Sequence, residues 1–244
     1  MDLKFELPQL VNEAFNPLAQ AIGNTIRSIW SITFGWIDAE SEKLDLKRLR
    51  DLEEFKLLLE SKVAEIPPGN LKEPDLSIIG PAIESSKYYF DNSELREMFA
   101  TIISRNMNDT LSYHTHPSFI DVIKQLSTND AKNLKYLRDH RRCPICRFNG
   151  ILPSGGSTPL ISVAFVRDDQ VMTDFLLHEN SFSVSNLVRL GIIALDFSVQ
   201  LLDESKYERL QKSHACSSNI TCDKGILEVT PYGREFFLAA IPFA

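Results

Sequence analysis

SIIGPAIESSKYYFDNSELREMFATIISRNMNDTLSYHTHPSFIDVIKQLSTNDAKNLKYLRDH, residues 77–140, is the stretch that sets the fold. Leu95, Met98, Phe99, Ile102 and Ile103 recur at i, i+3, i+4, i+7 and i+8. That spacing is one face of a helix. Asp91 with Glu94 reads as a capping box ahead of it. Pro117 suits the first turn of the next helix, where its missing N–H is not needed. Phe119, Val122, Ile123 and Leu126 repeat the spacing there. Ser127 with Asp130 then caps a third helix through Ala131, Leu134 and Leu137. Three amphipathic helices with short connections predict antiparallel packing. Phe99, Ile102, Phe119 and Ile123 are the expected contact seam.

Upstream, Val11 to Ile37 carries a helical seam with Arg27 as the single charge between Glu13 and Asp38. Pro17 and Gly23 are points where it could bend. A helix that poor in charge must be covered by something apolar. Two readings stand. It is core, or it docks on membrane or on another copy of the chain, with Arg27, Trp30, Phe34 and Trp36 as the contact residues. Asp38 to Ile66 is dense in charge and keeps Leu49, Leu52, Phe55, Leu59 and Val63 on one face. It reads as a solvated helix stopped by Pro67-Pro68-Gly69.

Downstream, Arg141 to Pro159 is rich in Pro, Gly and Ser and reads as a loop or boundary. Leu160–Val166 reads as a short strand. Ser183-Val184-Ser185 opens a helix that Gly191 ends, and Ile192-Ile193 starts a strand. Ile226–Val229 alternates as a last strand, and Thr230-Pro231 starts a final helix. This order resembles the end of a winged-helix module. The expected architecture is therefore mainly α: a helical bundle over 1–140, then a smaller α/β, winged-helix-like unit over 141–244.

The formal charge of −7 argues against a chain that binds nucleic acid over its whole surface. With 43% hydrophobic and 24% charged residues, the chain is globular rather than disordered. The start, MDLKFELPQL, has no basic run before an apolar core, so no signal peptide is expected. Cytoplasmic, reduced thiols follow from that. No window holds the roughly eighteen apolar residues of a membrane span.

Few residues suggest chemistry. Cys143-Pro144-Ile145-Cys146 is a CxxC, the spacing for a shared zinc ion or a redox pair. The other cysteines, Cys216 and Cys222, do not form a second CxxC, so no metal or other cofactor is expected. His114, His116 and Ser118 sit where a helix begins, which favours capping over catalysis. No phosphate-binding loop, dinucleotide fingerprint or HExxH occurs. Lys132, Lys135, Arg138, Arg141 and Arg142 form the densest basic cluster and are the candidate phosphate contacts. A salt-bridging or plainly exposed role for them is preferred.

Ile79-Gly80-Pro81, Glu94 to Ala100, and His116-Pro117-Ser118-Phe119 through Leu126-Ser127 occur in an order that resembles the abortive-infection alpha (Abi-alpha) family, formerly a bacterial domain of unknown function. The resemblance runs from about Asn16 to Phe237. It implies a mostly helical bacterial protein of antiviral defence and supplies no catalytic residues. The expected function is abortive-infection phage defence by self-association, partner binding or peripheral membrane contact, without catalysis. The alternatives are a winged-helix DNA-binding regulator, or a hydrolase or nuclease that the motifs do not reveal.

Overall fold

A computed structural model describes residues 17–40, 46–213 and 219–242. The described chain is mainly helical and carries one four-stranded antiparallel sheet in its C-terminal half. It divides into two compact units, 1–125 together with 235–244, and 126–234.

The first unit contains α1 (Pro17–Glu40), α2 (Leu46–Ala64), α3 (Leu76–Ser86), α4 (Ser93–Asn106) and α5 (Pro117–Lys124). The seam read from sequence is its core: Phe99, Ile102 and Ile123 are fully buried and Phe119 nearly so. The α4 cap is Asn92 rather than Asp91. Its side chain accepts from the Glu94 and Leu95 backbone N–H groups. Pro117 opens α5 as expected, and His116 caps it by accepting from Ser118 N. The acidic face of α2 finds its cation within this unit. Arg96 of α4 reaches Glu54 at 2.7 Å and Asp51 at 3.8 Å.

The second unit contains α6 (Thr128–Asp139), β1 (Arg142–Ile151), β2 (Ser157–Ala164), α7 (Asp174–Arg189), β3 (Ile193–Asp196), α8 (Ser205–Ser213) and β4 (Ile220–Val229). Helix α9 (Pro231–Ala240) follows, and the division between units falls inside it. The unit boundary lies ahead of α6, one helix before residue 140, because Asn133 of α6 donates to Ser183 of α7 at 2.8 Å. The capping box Ser127–Asp130 is present. The sheet order is β2-β1-β4-β3, with every pair antiparallel.

Three readings change here. Residues 142–151 are β1, one of the two interior strands, not a loop. Helix α7 begins at Asp174, capped by Thr173, nine residues ahead of Ser183. The long excursion before β4 holds α8.

Gly191 ends α7 at φ 74°, and Ile192 N returns to Leu187 O at 3.0 Å. This is the glycine-terminated helix end that a left-handed residue permits. Thr230 Oγ1 accepts from Gly233 N at 2.9 Å, and Thr230 N donates to Ile192 O at 3.0 Å. A Cβ on Gly233 would stand 2.1 Å from Ile192 O. We therefore expect Gly233→Ala to lower stability by about 3 kcal/mol, at the upper end of overpacking costs. Gly80→Ala is the control, since its Cβ would meet nothing within 4 Å. In mid-helix it should add about 0.5–1 kcal/mol. Denaturant midpoints of the two variants should move in opposite directions.

Candidate functional site

Two of the four residues first suspected of outward contact, Trp30 and Phe34, lie inside. Trp30 and Phe34 of α1 are 2% and 1% exposed. Trp30 lies 4.5 Å from Phe34 and 5.6 Å from Phe55, ring centre to ring centre, and Phe34 meets Phe90 at 6.5 Å. With Ile26 they are core at i, i+4 and i+8, so neither side chain is a docking contact. Arg27 holds Asn24 Oδ1 at 2.8 Å. Of Trp36 only the backbone, in α1, is described, and residues 11–16 lie outside the described residues. No helix among the described residues is long and apolar enough to cross a membrane.

The basic cluster is partly neutralised where it stands. Arg138 makes a two-pronged contact with Asp139 at 2.8 and 2.9 Å, and Arg142 pairs with Glu228 across the β1–β4 ladder. Lys135 is half-buried, while Lys132 and Arg141 are exposed. In the first unit, His116 is occupied by capping, and His114 Nδ1 pairs with Glu235 Oε2 at 2.6 Å. That partner lies too far along the chain for spacing to reveal it.

The CxxC does not act as one group. On a strand, residues three apart point to opposite faces. Cys143 and Cys146 of β1 are both buried, one on each side of the sheet. Burial pushes the Cys143 thiol up to about 12, so it stays protonated. Among the described residues no group of three or more His, Cys, Asp or Glu side chains is placed to hold a metal ion. Cys146 instead meets Cys222 of β4, a pair the sequence reading did not make.

The outstanding surface is the outer face of α7. Phe175 is 78% exposed and Phe182 is 74% exposed. With Arg189 they stand at i, i+7 and i+14, a straight stripe with steps of about 10 Å. Asp174 and Glu179 lie toward the N-terminal end of the stripe and Arg189 at its C-terminal end. The opposite face is held by a buried polar network. Asn180 donates to Phe165 O and Gln170 Oε1, each at 2.9 Å. Asn133 of α6 donates to the buried Ser183 Oγ of α7 at 2.8 Å. Arg167 donates to Asn133 Oδ1. Such bonds in a dry interior fix a helix's rotation, because each broken one leaves an unsatisfied polar group. The two phenylalanines are therefore held outward rather than free to roll into the core.

Fold and surface together define a mainly α protein with a small α/β unit that presents a fixed aromatic stripe. The chain belongs to the abortive infection alpha family, whose model matches residues 47–240. No curated protein and no solved structure matches it.

Proposed function

We propose that the chain serves bacterial abortive-infection defence in the cytoplasm, and that it acts by binding a second copy of itself through α7 rather than by catalysis. The observation that carries this reading is the exposure of Phe175 and Phe182 on a helix locked from behind. Two copies of α7 placed antiparallel about Phe182 would set each Phe175 against the other copy's Arg189. Seven residues separate Phe182 from each. The acidic N-terminal half of one helix would then face the basic end of the other. A ring against a guanidinium contributes roughly 0.5–1 kcal/mol when exposed. Each buried phenylalanine covers about 150–250 Å². Four rings cover on the order of 600–1,000 Å², the low end of specific interfaces. The association should therefore be weak and dependent on concentration, which suits a protein that must stay idle until infection.

The exchange Phe175→Ser with Phe182→Ser tests this. Wild-type protein should dimerise with rising concentration in sedimentation experiments. The double variant should remain monomeric with stability within about 0.5 kcal/mol of wild type, since surface changes cost little. It should also lose protection in a phage challenge. A wild-type chain that stays monomeric across the range, or a double variant that protects fully, overturns the reading.

The order α7, Gly191, β3, β4, Thr230-Pro231 supports a winged-helix comparison and with it a nucleic-acid reading. In that comparison α7 would enter the groove. It would bring two phenylalanines and two acids against one arginine, poor equipment for phosphates and base edges. A salt-dependent shift of a DNA duplex by the protein would favour this second reading.

A further inference from the structure

Cys146 and Cys222 lie on the same face of neighbouring antiparallel strands. Cys146 pairs with Lys224, and Cys222 pairs with Phe148, so the two thiols are diagonal neighbours. Both pack with Phe148, Tyr207 and Leu210, Cys146 fully buried and Cys222 at the edge. The two thiols lie close enough to interact directly. Cys222 also opens on a surface groove of about 350 Å³ bordered by Phe197, Ser198, Val199, Gln200 and Lys224. A water molecule takes about 30 Å³, so a small reagent can enter. Lys224 borders the groove with its ammonium held by Glu204 at 3.0 Å and set over the Tyr207 ring at 5.4 Å. One thiol is therefore reachable, the second is in contact behind it, and a fixed cation is alongside.

We propose that Cys222 is an oxidant-sensing thiol that reacts with hydroperoxides, and that Cys146 resolves the product as a disulfide within the sheet. The Cys222 thiolate attacks the terminal oxygen of the hydroperoxide. An S–O bond forms and the O–O bond breaks. The sulfur loses two electrons, and the alkoxide or hydroxide leaves and takes a proton from solvent. The Cys146 sulfur then attacks the sulfenic sulfur of Cys222. An S–S bond forms, the S–O bond breaks, and hydroxide departs as water with the Cys146 proton. The interaction with Cys146 and the Lys224 charge both hold the Cys222 thiol below its ordinary range, which supports the first step. The contrast with Cys143 is built in, because that thiol is dry and pushed up.

The test uses the full chain carrying Cys216→Ser, which removes the remaining cysteine. Treatment with hydrogen peroxide, alkylation without reductant and peptide mapping should show a Cys146–Cys222 crosslink. The chain should lose two hydrogens in mass and regain them with dithiothreitol. Before oxidation, Cys222 should alkylate faster than Cys143 by tenfold or more, on the order expected of an ionised against a buried thiol. In a Cys146→Ala chain, dimedone should trap a sulfenic acid on Cys222. Mapping on the chain that keeps Cys146 stands alone if that variant does not fold. A Cys222 that stays fully alkylatable after peroxide overturns the proposal. So does a sulfenic acid on Cys222 that persists beside an intact Cys146, or oxidation that falls first on Cys143.

Discussion

Trp30→Glu should leave the first unit without a cooperative unfolding transition at neutral pH. Trp30 is 2% exposed and stacks on Phe55, so truncation alone costs about 3–5 kcal/mol. The carboxylate adds an unpaired charge in a dry site, and it escapes only by staying protonated. The sum approaches the whole stability of an ordinary domain, roughly 5–15 kcal/mol. The sign with pH follows. The folded variant would hold its new carboxyl with a raised pKa and bind more protons than the unfolded chain. Its stability should therefore fall as pH rises through the interval above the ordinary carboxylate value. Circular dichroism melts at pH 5 and pH 8 would read this, with the acid sample the better folded. Trp30→Leu should melt in between. A Trp30→Glu chain with a wild-type melt would return α1 to the surface role read from its low charge.

Phe99→Ala should cost about 3–5 kcal/mol, because the ring is fully buried in α4 and packs 5.7 Å from that of Tyr89. With a urea slope of about 2 kcal/mol/M, the midpoint should drop by roughly 2 M. Phe99→Leu keeps most of the volume and should lose less than about 1.5 kcal/mol. An unmoved midpoint in the alanine variant would mean that the α4 seam does not face the core.

The first unit was legible because its helices obey one rule, apolar residues inward at 3.6-residue spacing. Leu49, Leu52, Phe55, Leu59 and Val63 of α2 are all buried as that spacing predicts. The aromatic stripe of α7 was hidden by the same rule. Phe175 and Phe182 point outward, so the apolar count breaks and α7 reads only from Ser183 onward. The local signal was Thr173 followed by Asp174, a cap and a first-turn acid. Strand β1 was missed for a different reason. Cys143 and Ile145 are buried on one face while Cys146 and Phe148 are buried on the other, which erases the alternation that marks a half-buried strand. The pairs His114–Glu235 and Cys146–Cys222 belong to tertiary structure, and spacing along a chain does not encode them.

Helix α9 has a consequence for the order in which the protein is made. Phe236 packs edge-on to Phe119 at 5.4 Å, and Arg105 donates to the carbonyls of Phe237 and Leu238 at 3.1 and 2.7 Å. These groups belong to the first unit, yet the ribosome delivers them after the whole of residues 126–234. At about 5–20 residues per second, that interval is on the order of ten seconds. Through it the nascent helices lack the Phe236 ring beside Phe119 and the two carbonyls of α9 to which Arg105 donates. A chain released before α9 would lack them permanently, exposed to chaperones and proteases. Helix α9 is thus the step that closes the first unit, and a message cut short ahead of it would leave an earlier-made part unfinished.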